Sequence, residues 1–596
     1  MAESPSLESG HLLSYKLVSN GAPVPDTVQI VSITTQSAIN RIPSAEIVLL
    51  DGDMPGDSFP VSDSDLFKPG AEIVIEAGYD ERTEVIFKGL VIRHGLKISG
   101  DNYARLVIEC RDKAVAMTIG RKNANYVDQT DSDIFAKLLG NYGGVTSDVS
   151  ATAIQHKELV QHYCTDWDFL VSRAEVNGML VIVDQNKVTV QPPQTSGDAS
   201  LKVTYGVELM EFHADIDSRS QLKSVTSATW DPAAQAIVEK TAAPKQLNRQ
   251  GDLSSSVLAQ VGSPNSFRLQ TPSPMEQTAL QAWADSQQIK AGLARIRGRM
   301  KFQGDVKAKA GQLIELVGVG NRFSGVVFVS AVTHELVDGD WTTEAEFGMP
   351  PQWFAEQRDL AAPPAAGLTP GIEGLHLGVV KKLDADPNGE KKVQVSIPLL
   401  KADADGVWAR LANFYASNGF GDFFIPEIGD EVVLGYLNDD PSHPVILGSL
   451  YSSKRAPPYE LTAENYTKAI VTRSLLRLIF DDEKKVVTII TPAGNKIVVS
   501  DDAKSILLED QNANKAELSP TGILLDSPKD ITINAKGKIT MSAVGEISVT
   551  AQADVSVTGL NVTNTAQVGY TAKGNATAEL SAAGQTTVKG ALVMIN

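Results

Sequence analysis

The sequence predicts a mainly β chain of several domains, whose last part folds only beside other copies of itself. Three observations carry this. Short alternating strands parted by turn clusters run to about residue 350, a compact strand-rich block follows over 375–458, and an eight-residue apolar repeat begins at Ile531. Length agrees, because 596 residues correspond to about four domains of ordinary size.

Residues 1–120 read as a first β-barrel. Thr27–Thr35, Ala45–Leu50, Glu72–Ala77, Glu84–Leu90 and Ala104–Cys110 alternate or run apolar, as half-buried strands do. Short antiparallel strands of this kind favour a barrel or sandwich. Residues 121–200 form a small α+β insertion. Asp131–Asn141 has helical spacing with Asp131 as its cap. A second helix after Tyr163 repeats Trp167, Leu170, Val171 and Ala174 on one face and stops at Gly178. A hairpin through Asp184-Gln185-Asn186 follows. The β pattern resumes over 201–358, interrupted by a helix from Glu276 to Arg297, and a Pro/Gly/Ala linker fills 359–374.

The block 375–458 contains VQVSIP, VWARLA, EVVLGYL and PVILGSLY, which fits a five-stranded barrel of the OB type. Over 459–530, strands at roughly ten-residue spacing are separated by DDEKK, PAGN, SDDAK, QNAN and SPTG turns. The repeat occupies 531–596. Ile531, Ile539, Ile547 and Val555 form one row, and Ile533, Met541, Val549 and Val557 a second, with Ile523 and Leu525 one octad upstream. The pattern slips by one residue after Gly559, where Val562, Tyr570 and Ala578 take over, and it thins near Ala583. Apolar residues two apart make a short strand with one hidden face. Eight residues are too few for a coil of a single-chain β-helix, which needs roughly 20 or more. They suit one side of a triangular prism completed by two identical chains. A homotrimer is therefore expected.

Composition narrows the function. The net charge is −19, or −57 for three copies (three times −19), which argues against nucleic acid or an anionic membrane as the main partner. A local basic run, Lys290, Arg295, Arg297, Arg299 and Lys301, is the exception. Cys110 and Cys164 make no disulfide framework and suit folding in a reducing cytosol. MAESPSLESGHLL lacks the charged-then-apolar pattern of a signal peptide, and no stretch approaches the roughly 20 apolar residues of a membrane span. The expectation is synthesis in the cytoplasm, with any later location reached by being carried or driven there.

Candidate chemistry reads as structure. Gly429-Asp430-Glu431 and Asp439-Asp440 sit in turn contexts, not as the paired carboxylates of a glycosidase. His156 and His162 are six apart, without a companion ligand cluster. Cys164 has no evident base and reads as a buried small hydrophobe. Gly318-Val319-Gly320 lacks the helix of a dinucleotide fingerprint. Trp408 is expected to pack in its barrel. Leu592, Met594 and Ile595 end the prism, either as merely its last strand or also as a flat apolar platform, which on a trimer end would need covering. No catalysis, cofactor or metal is expected.

VWARLANFYASNGFGDFFIPEIGDEVVLGYLNDDPSHPVILGSLY, with Trp408, Arg410, Pro426, Gly429, Asp430 and Glu431, resembles the OB-barrel signature of the VgrG and contractile-phage hub-spike family. Thr165-Asp166-Trp167-Asp168-Phe169-Leu170 resembles the family's hub motif, Gly311 to Gly348 the closing part of its second hub barrel, and the octads with GALVMIN its shaft. AIVTRSLLRLIFDDEKKVVTIITPAGNKIVVSDD is more similar to the versions in phage-like injection particles than to those of type VI secretion. The resemblance implies hub β-barrels with a small α+β insertion, an OB-fold barrel and a C-terminal intertwined triple-stranded β-helix. It implies a homotrimer joining a six-fold inner tube protein and baseplate components to a needle that carries a PAAR-type tip protein and punctures the target membrane. The alternatives are a spike with cell-wall-degrading or effector activity, which would need an insertion beside the OB barrel or an extension past Asn596, and a trimeric receptor-binding fibre.

Overall fold

A computed structural model of the chain describes residues 3–5, 12–54, 56–100, 104–245, 247–262, 264–356, 360–400 and 406–595. The chain divides into two units, Met1–Leu450 and Tyr451–Asn596. Most of MAESPSLESGHLL lies outside the described residues.

Thirteen strands of the first unit share one sheet. One half holds Leu13–Ser19, Ala22–Pro23, Ile30–Ala38, Ser44–Leu50, Glu72–Tyr79, Arg82–Ile98 and Ala104–Arg111. The other holds Leu201–Thr204, Leu209–Ile216, Ile296–Gln303, Leu313–Val317, Gly325–Val337 and Asp340–Phe347. A single antiparallel seam joins them, with His334 opposite Thr35 and Leu336 opposite Ile33. Alternation builds the cores: Ala45, Ile47 and Leu49 turn inward from one strand. One core gathers around Ile47, Ile73, Leu106 and Trp341, the other around Met300, Phe302, Ile314 and Phe347. Leu13–Ser19 escapes the sequence pattern because it buries only Leu17 and Ser19.

Between the halves, helices Asp131–Gly140 and Asp166–Val176 pack with a small sheet of Thr146–Val149, Leu180–Asp184 and Lys187–Gln191. Trp167, Leu170, Val171 and Ala174 all enter that core. Gln185 and Asn186 both have positive φ (52° and 68°), as a tight two-residue hairpin requires. Asp131, however, is not the helix cap. Thr130 is: its hydroxyl accepts from the Asp133 N–H, and the Asp133 carboxylate accepts from the Thr130 N–H in a capping box.

The helix expected over Glu276–Arg297 also ends early, spanning Gln277–Leu293. From Ile296 the period falls to two, burying Ile296, Met300 and Phe302 in turn as a strand. The helix packs on a three-stranded sheet, Val225–Asp231, Ala236–Ala242 and Phe267–Thr271.

Asp359, first residue of the linker, lies outside the described residues. The rest is held at both ends. Arg121 donates to the Leu360 carbonyl (3.2 Å), the Ile372 N–H donates to the Asp439 carbonyl (2.8 Å), and Ala365 is buried. Beyond it a closed barrel forms from His376–Lys382, Val393–Ser396, Val407–Leu411, Pro444–Ser449 and Glu431–Tyr436, in that spatial order. One pairing is parallel, Arg410 with Val445, and the others are antiparallel. This is the five-stranded OB arrangement.

The second unit opens with seven five-residue strands in an antiparallel meander, from Thr467–Val471 to Gly522–Asp526. The turns fall where the sequence places them, with positive φ at Lys485, Gly494, Lys504, Ala513 and Gly522. Register puts two apolar rows on one face. Phe480, Val487, Val499, Ile506, Leu518 and Ile523 form the first, and Ile470, Leu478, Ile489, Ile497, Leu508, Ala516 and Leu525 the second. Past Asp526 the chain makes a bend every eight residues, starting at 528, 536, 544, 552 and 560, then at 567, 575, 583 and 591. The one seven-residue step, 560 to 567, is the slip seen after Gly559. Where the apolar pattern thins near Ala583, the backbone period continues.

Candidate functional site

The OB motif is a folding device. Gly429 has φ of 85°, a left-handed turn that favours glycine. Its N–H donates to the Val380 carbonyl (2.8 Å), and the Val380 N–H donates to the Asp430 carbonyl (3.0 Å). The Asp430 carboxylate accepts from the Glu427 N–H (2.8 Å), and Glu431 begins the next strand. Pro426 is buried. The second acidic pair is also a turn: Asp440 accepts from the Ser442 N–H (2.8 Å) and lies 3.1 Å from His443. Trp408 corrects its expectation. The barrel core takes Ala409, with Val407 and Leu411 packed against it, so alternation turns Trp408 and Arg410 to the outer face. Trp408 is half-buried there and Arg410 exposed. The neighbouring loop presents Phe414, Tyr415, Phe420, Phe423 and Phe424, all exposed. For Gly429→Ala we expect about 1–2 kcal/mol of barrel stability to be lost to the left-handed backbone, read as faster hydrogen exchange at Val380.

In the upstream motif Trp167, Phe169 and Leu170 are core residues, and Asp166 is a buried carboxylate. It accepts from Lys122 Nζ (2.7 Å), Tyr142 hydroxyl (2.6 Å) and Gln161 Nε2 (2.9 Å). Burial opposes its ionisation, but these hydrogen bonds prevail and hold its pKa below the usual range. Asp131, inside the first helical turn, is the second such centre. It accepts from Arg173 Nε and Nη2 (2.8 and 2.9 Å) and from Asn177 Nδ2 (2.9 Å), and His156 Nε2 lies 2.8 Å away. His156 thus lies within hydrogen-bond distance of the Asp131–Arg173 ion pair, while His162 takes no part in that cluster. Sequence reasoning missed both centres, since Asp131 and Arg173 meet only through the fold.

The basic run does not form a patch. Lys290 is buried against Glu175 (2.7 Å) and the Trp353 ring (5.5 Å), and Arg295 is buried on the Leu253 carbonyl. Arg297, Arg299 and Lys301 each face a carboxylate, Asp217, Glu344 and Glu335. Cys110 is buried, its thiol pushed up to about 12 by burial, and half-buried Cys164 is raised for the same reason. Among the described residues no group of three or more His, Cys, Asp or Glu side chains is arranged to hold a metal ion. Gly318 and Gly320 turn with φ of 86° and 77°, and the chain proceeds to the strand Gly325–Val337.

The shaft concentrates exposed apolar surface. In the single chain Ile531, Ile539, Ile547 and Val555 stand 53–59% exposed, and Ile533, Met541, Val549 and Val557 70–73%. Leu592, Met594 and Ile595 are likewise exposed. Met594 keeps the eight-residue phase of Val562, Tyr570 and Ala578, so it belongs to a shaft row as well as to the end.

Two family models match. The Alg8 N-terminal domain covers residues 9–338, more than half of the chain, and the type VI secretion system/phage-baseplate injector OB domain covers 376–451. This chain belongs to the VgrG and phage hub-spike family. The VgrG5 spike protein of Pseudomonas aeruginosa is 32% identical over 125 residues, 20% of this chain and 15% of that relative. VgrG4b of the same organism is 38% identical over 68 residues, 11% of this chain and 8% of the relative. These matches span less than a sixth of the curated relatives. Among solved structures, the prophage MuSo2 43 kDa tail protein of Shewanella oneidensis has TM-score 0.44 at 11% identity, covering 57% of this chain and 99% of that one. An Escherichia coli type VI secretion component has TM-score 0.36 at 13% identity, covering 73% of this hub-spike chain and all of its own.

Proposed function

We propose that this chain is the structural hub and spike of a contractile injection system, working as a homotrimer with no chemistry of its own. The observation that carries the proposal is the shaft: a bend at each eighth residue, with bulky apolar rows in phase and exposed in the lone chain. Burying such rows contributes about 25 cal/mol per Å², and three copies supply the faces. Strand edges paired to neighbouring chains leave no long open edge, and wound chains separate only when many contacts break together. Force from sheath contraction would pass from the tube protein and baseplate through the barrels to the shaft. A PAAR-type tip would cover Leu592, Met594 and Ile595, and the assembled particle, carried or released from the producing cell, would pierce a target membrane mechanically.

Electron microscopy with native mass measurement of the purified chain tests this. The expected result is a three-fold object with a tapering needle, resistant to SDS. A folded monomer at micromolar concentration, shaft included, would overturn it. Muralytic activity or binding of isolated trimers to cells would favour an enzymatic spike or a receptor fibre.

A further inference from the structure

Arg295 is a buried charge that the fold leaves without a counterion. It is 7% exposed. Among the described residues its side chain makes one hydrogen bond, to a neutral acceptor, the Leu253 carbonyl. Lys290, the other buried cation of the same run, has Glu175 at 2.7 Å. Arg295 has no such partner, and burial alone acts on its pKa, lowering it. A guanidinium does not shed its proton in a protein, so the charge stays. The residue stands just past helix Gln277–Leu293, whose C-terminal end carries about half a negative charge. That offsets only part of the cost, and buried charges are ordinarily paired.

Arg295 lines a cavity of about 410 Å³, a size that holds small ligands elsewhere. Loop 247–256 forms most of its wall, and the loop is firmly held. Asn248 Nδ2 donates to the Val326 carbonyl (3.0 Å), the Val326 N–H to the Arg249 carbonyl (3.1 Å), and the Gly251 N–H to the Ser324 carbonyl (2.8 Å). The lining carries an excess of positive charge, although the chain as a whole is at −19. Its one carboxylate, Asp252, is taken by Arg322 (2.6 Å), and Lys245 lies 3.3 Å from Asp285. Arg249 is exposed at the cavity and forms no ion pair with a described residue. Ser254, Ser255 and Ser256 add hydroxyls. Those of Ser254 and Ser256 lie 2.9 Å apart, and that of Ser255 bonds to no described residue.

These donors call for an anion rich in oxygen. The planar fork of an arginine matches two oxygens of a phosphate or a carboxylate. Two guanidinium groups with three hydroxyls offer more donors than one carboxylate can accept, and chloride would use none of the fork geometry. We propose that this cavity binds a phosphate group, free or at the end of a small molecule, with Arg295 as its buried anchor. The bound group would tie loop 247–256 to the end of helix Gln277–Leu293. Because Gln250 of that loop bridges to Gly325, where a strand of the large sheet begins, the anion would brace helix and sheet together. None of this depends on the trimeric reading of the shaft.

Equilibrium dialysis of the full-length protein with radiolabelled inorganic phosphate tests it, in chloride buffer of constant ionic strength. The expected result is saturable binding of one phosphate per chain at millimolar concentration or below. Arg295→Met, which keeps the length of the side chain and removes its charge, should weaken binding about ten-fold or more. Hydrogen exchange over 247–256 should slow with phosphate in the parent and not in Arg295→Met. Glycerol 3-phosphate separates the two sources: tighter binding than inorganic phosphate places the group on a small molecule, and equal or weaker binding makes the free ion the ligand. Absence of saturable binding by the parent, or an unchanged affinity in Arg295→Met, would overturn the proposal, and so would displacement of phosphate by an equal concentration of acetate. If Arg295→Met does not fold, Arg249→Ala at its exposed position decides instead. A loss of about three-fold is expected there, and an unchanged affinity would overturn the assignment.

Discussion

Ile547→Asp should abolish the SDS-resistant trimer. Ile547 stands in the middle of the first octad row, 53% exposed in the lone chain, and in the proposed prism its three copies would meet near the axis. The substitution removes three apolar side chains, each worth about 1.5–3 kcal/mol when fully buried. It also forces three carboxylates together out of water, where an unpaired charge costs several kcal/mol. The immediate neighbours of Ile547 in sequence supply no positive charge, since Ser548, Val549 and Thr550 follow it and acidic Glu546 precedes it. Unheated samples on SDS gels, with native mass as the second reading, should show monomer where the parent runs as trimer. A variant trimer as heat-resistant as the parent would remove the prism from consideration.

Asp131→Asn should loosen the α+β insertion by about 3–5 kcal/mol, the usual result of leaving one member of a buried ion pair behind. Arg173 would lose its bidentate partner and His156 its carboxylate, all within a site where Asp131 is almost wholly buried. Because the chain divides into two compact units, a single melting temperature would not describe the loss. Hydrogen exchange of helices Asp131–Gly140 and Asp166–Val176 would. Acid dependence follows from the same contacts. For Asp131, burial works against ionisation, but hydrogen bonds and charge from Arg173 and further bonds from His156 and Asn177 outweigh it, and the folded pKa is lowered. Asp166 is lowered in the same way. A carboxylate depressed in the folded state gives stability that is complete above its unfolded value, near 3.9, and is lost as pH falls through the folded value. Asp112, raised by burial, works in the opposite sense. The net expectation is an insertion whose stability is flat from neutral pH to about 5 and falls below about 4. In the Asn variant the fall should be shallower.

Much of this was visible in the residues because the signals are local. The turns of the meander and the face of Trp167, Leu170, Val171 and Ala174 are short-range patterns, and each appears in the structure at its expected place; the octads appear as bends at eight-residue spacing, without the strands expected between them in the single chain. What escaped depends on contacts distant in sequence. Trp408 looked like a core residue because of its size, but neighbouring Ala409 takes the inward position, and a one-residue change of phase exchanges the faces of a strand. Asp131 looked like a cap because caps favour Asp, yet Thr130 caps the helix and frees Asp131 to meet Arg173, 42 residues away. Lys290 and Arg295 looked like surface charge until the fold supplied Glu175 and the Leu253 carbonyl. The apolar face of the meander was hidden for another reason. Its rows run across strands, so they can be seen only once the register is known.

The lone seven-residue step between 560 and 567 has a consequence for how the proposed shaft would tolerate change. Because position along it is kept by counting, single substitutions at polar corners should matter little, while loss of one residue inside an octad would dislocate every side beyond it. Material can be gained or lost cleanly only in whole eights, so needle length should vary among relatives in fixed increments. The existing short step is a place where one inserted residue should restore a uniform count.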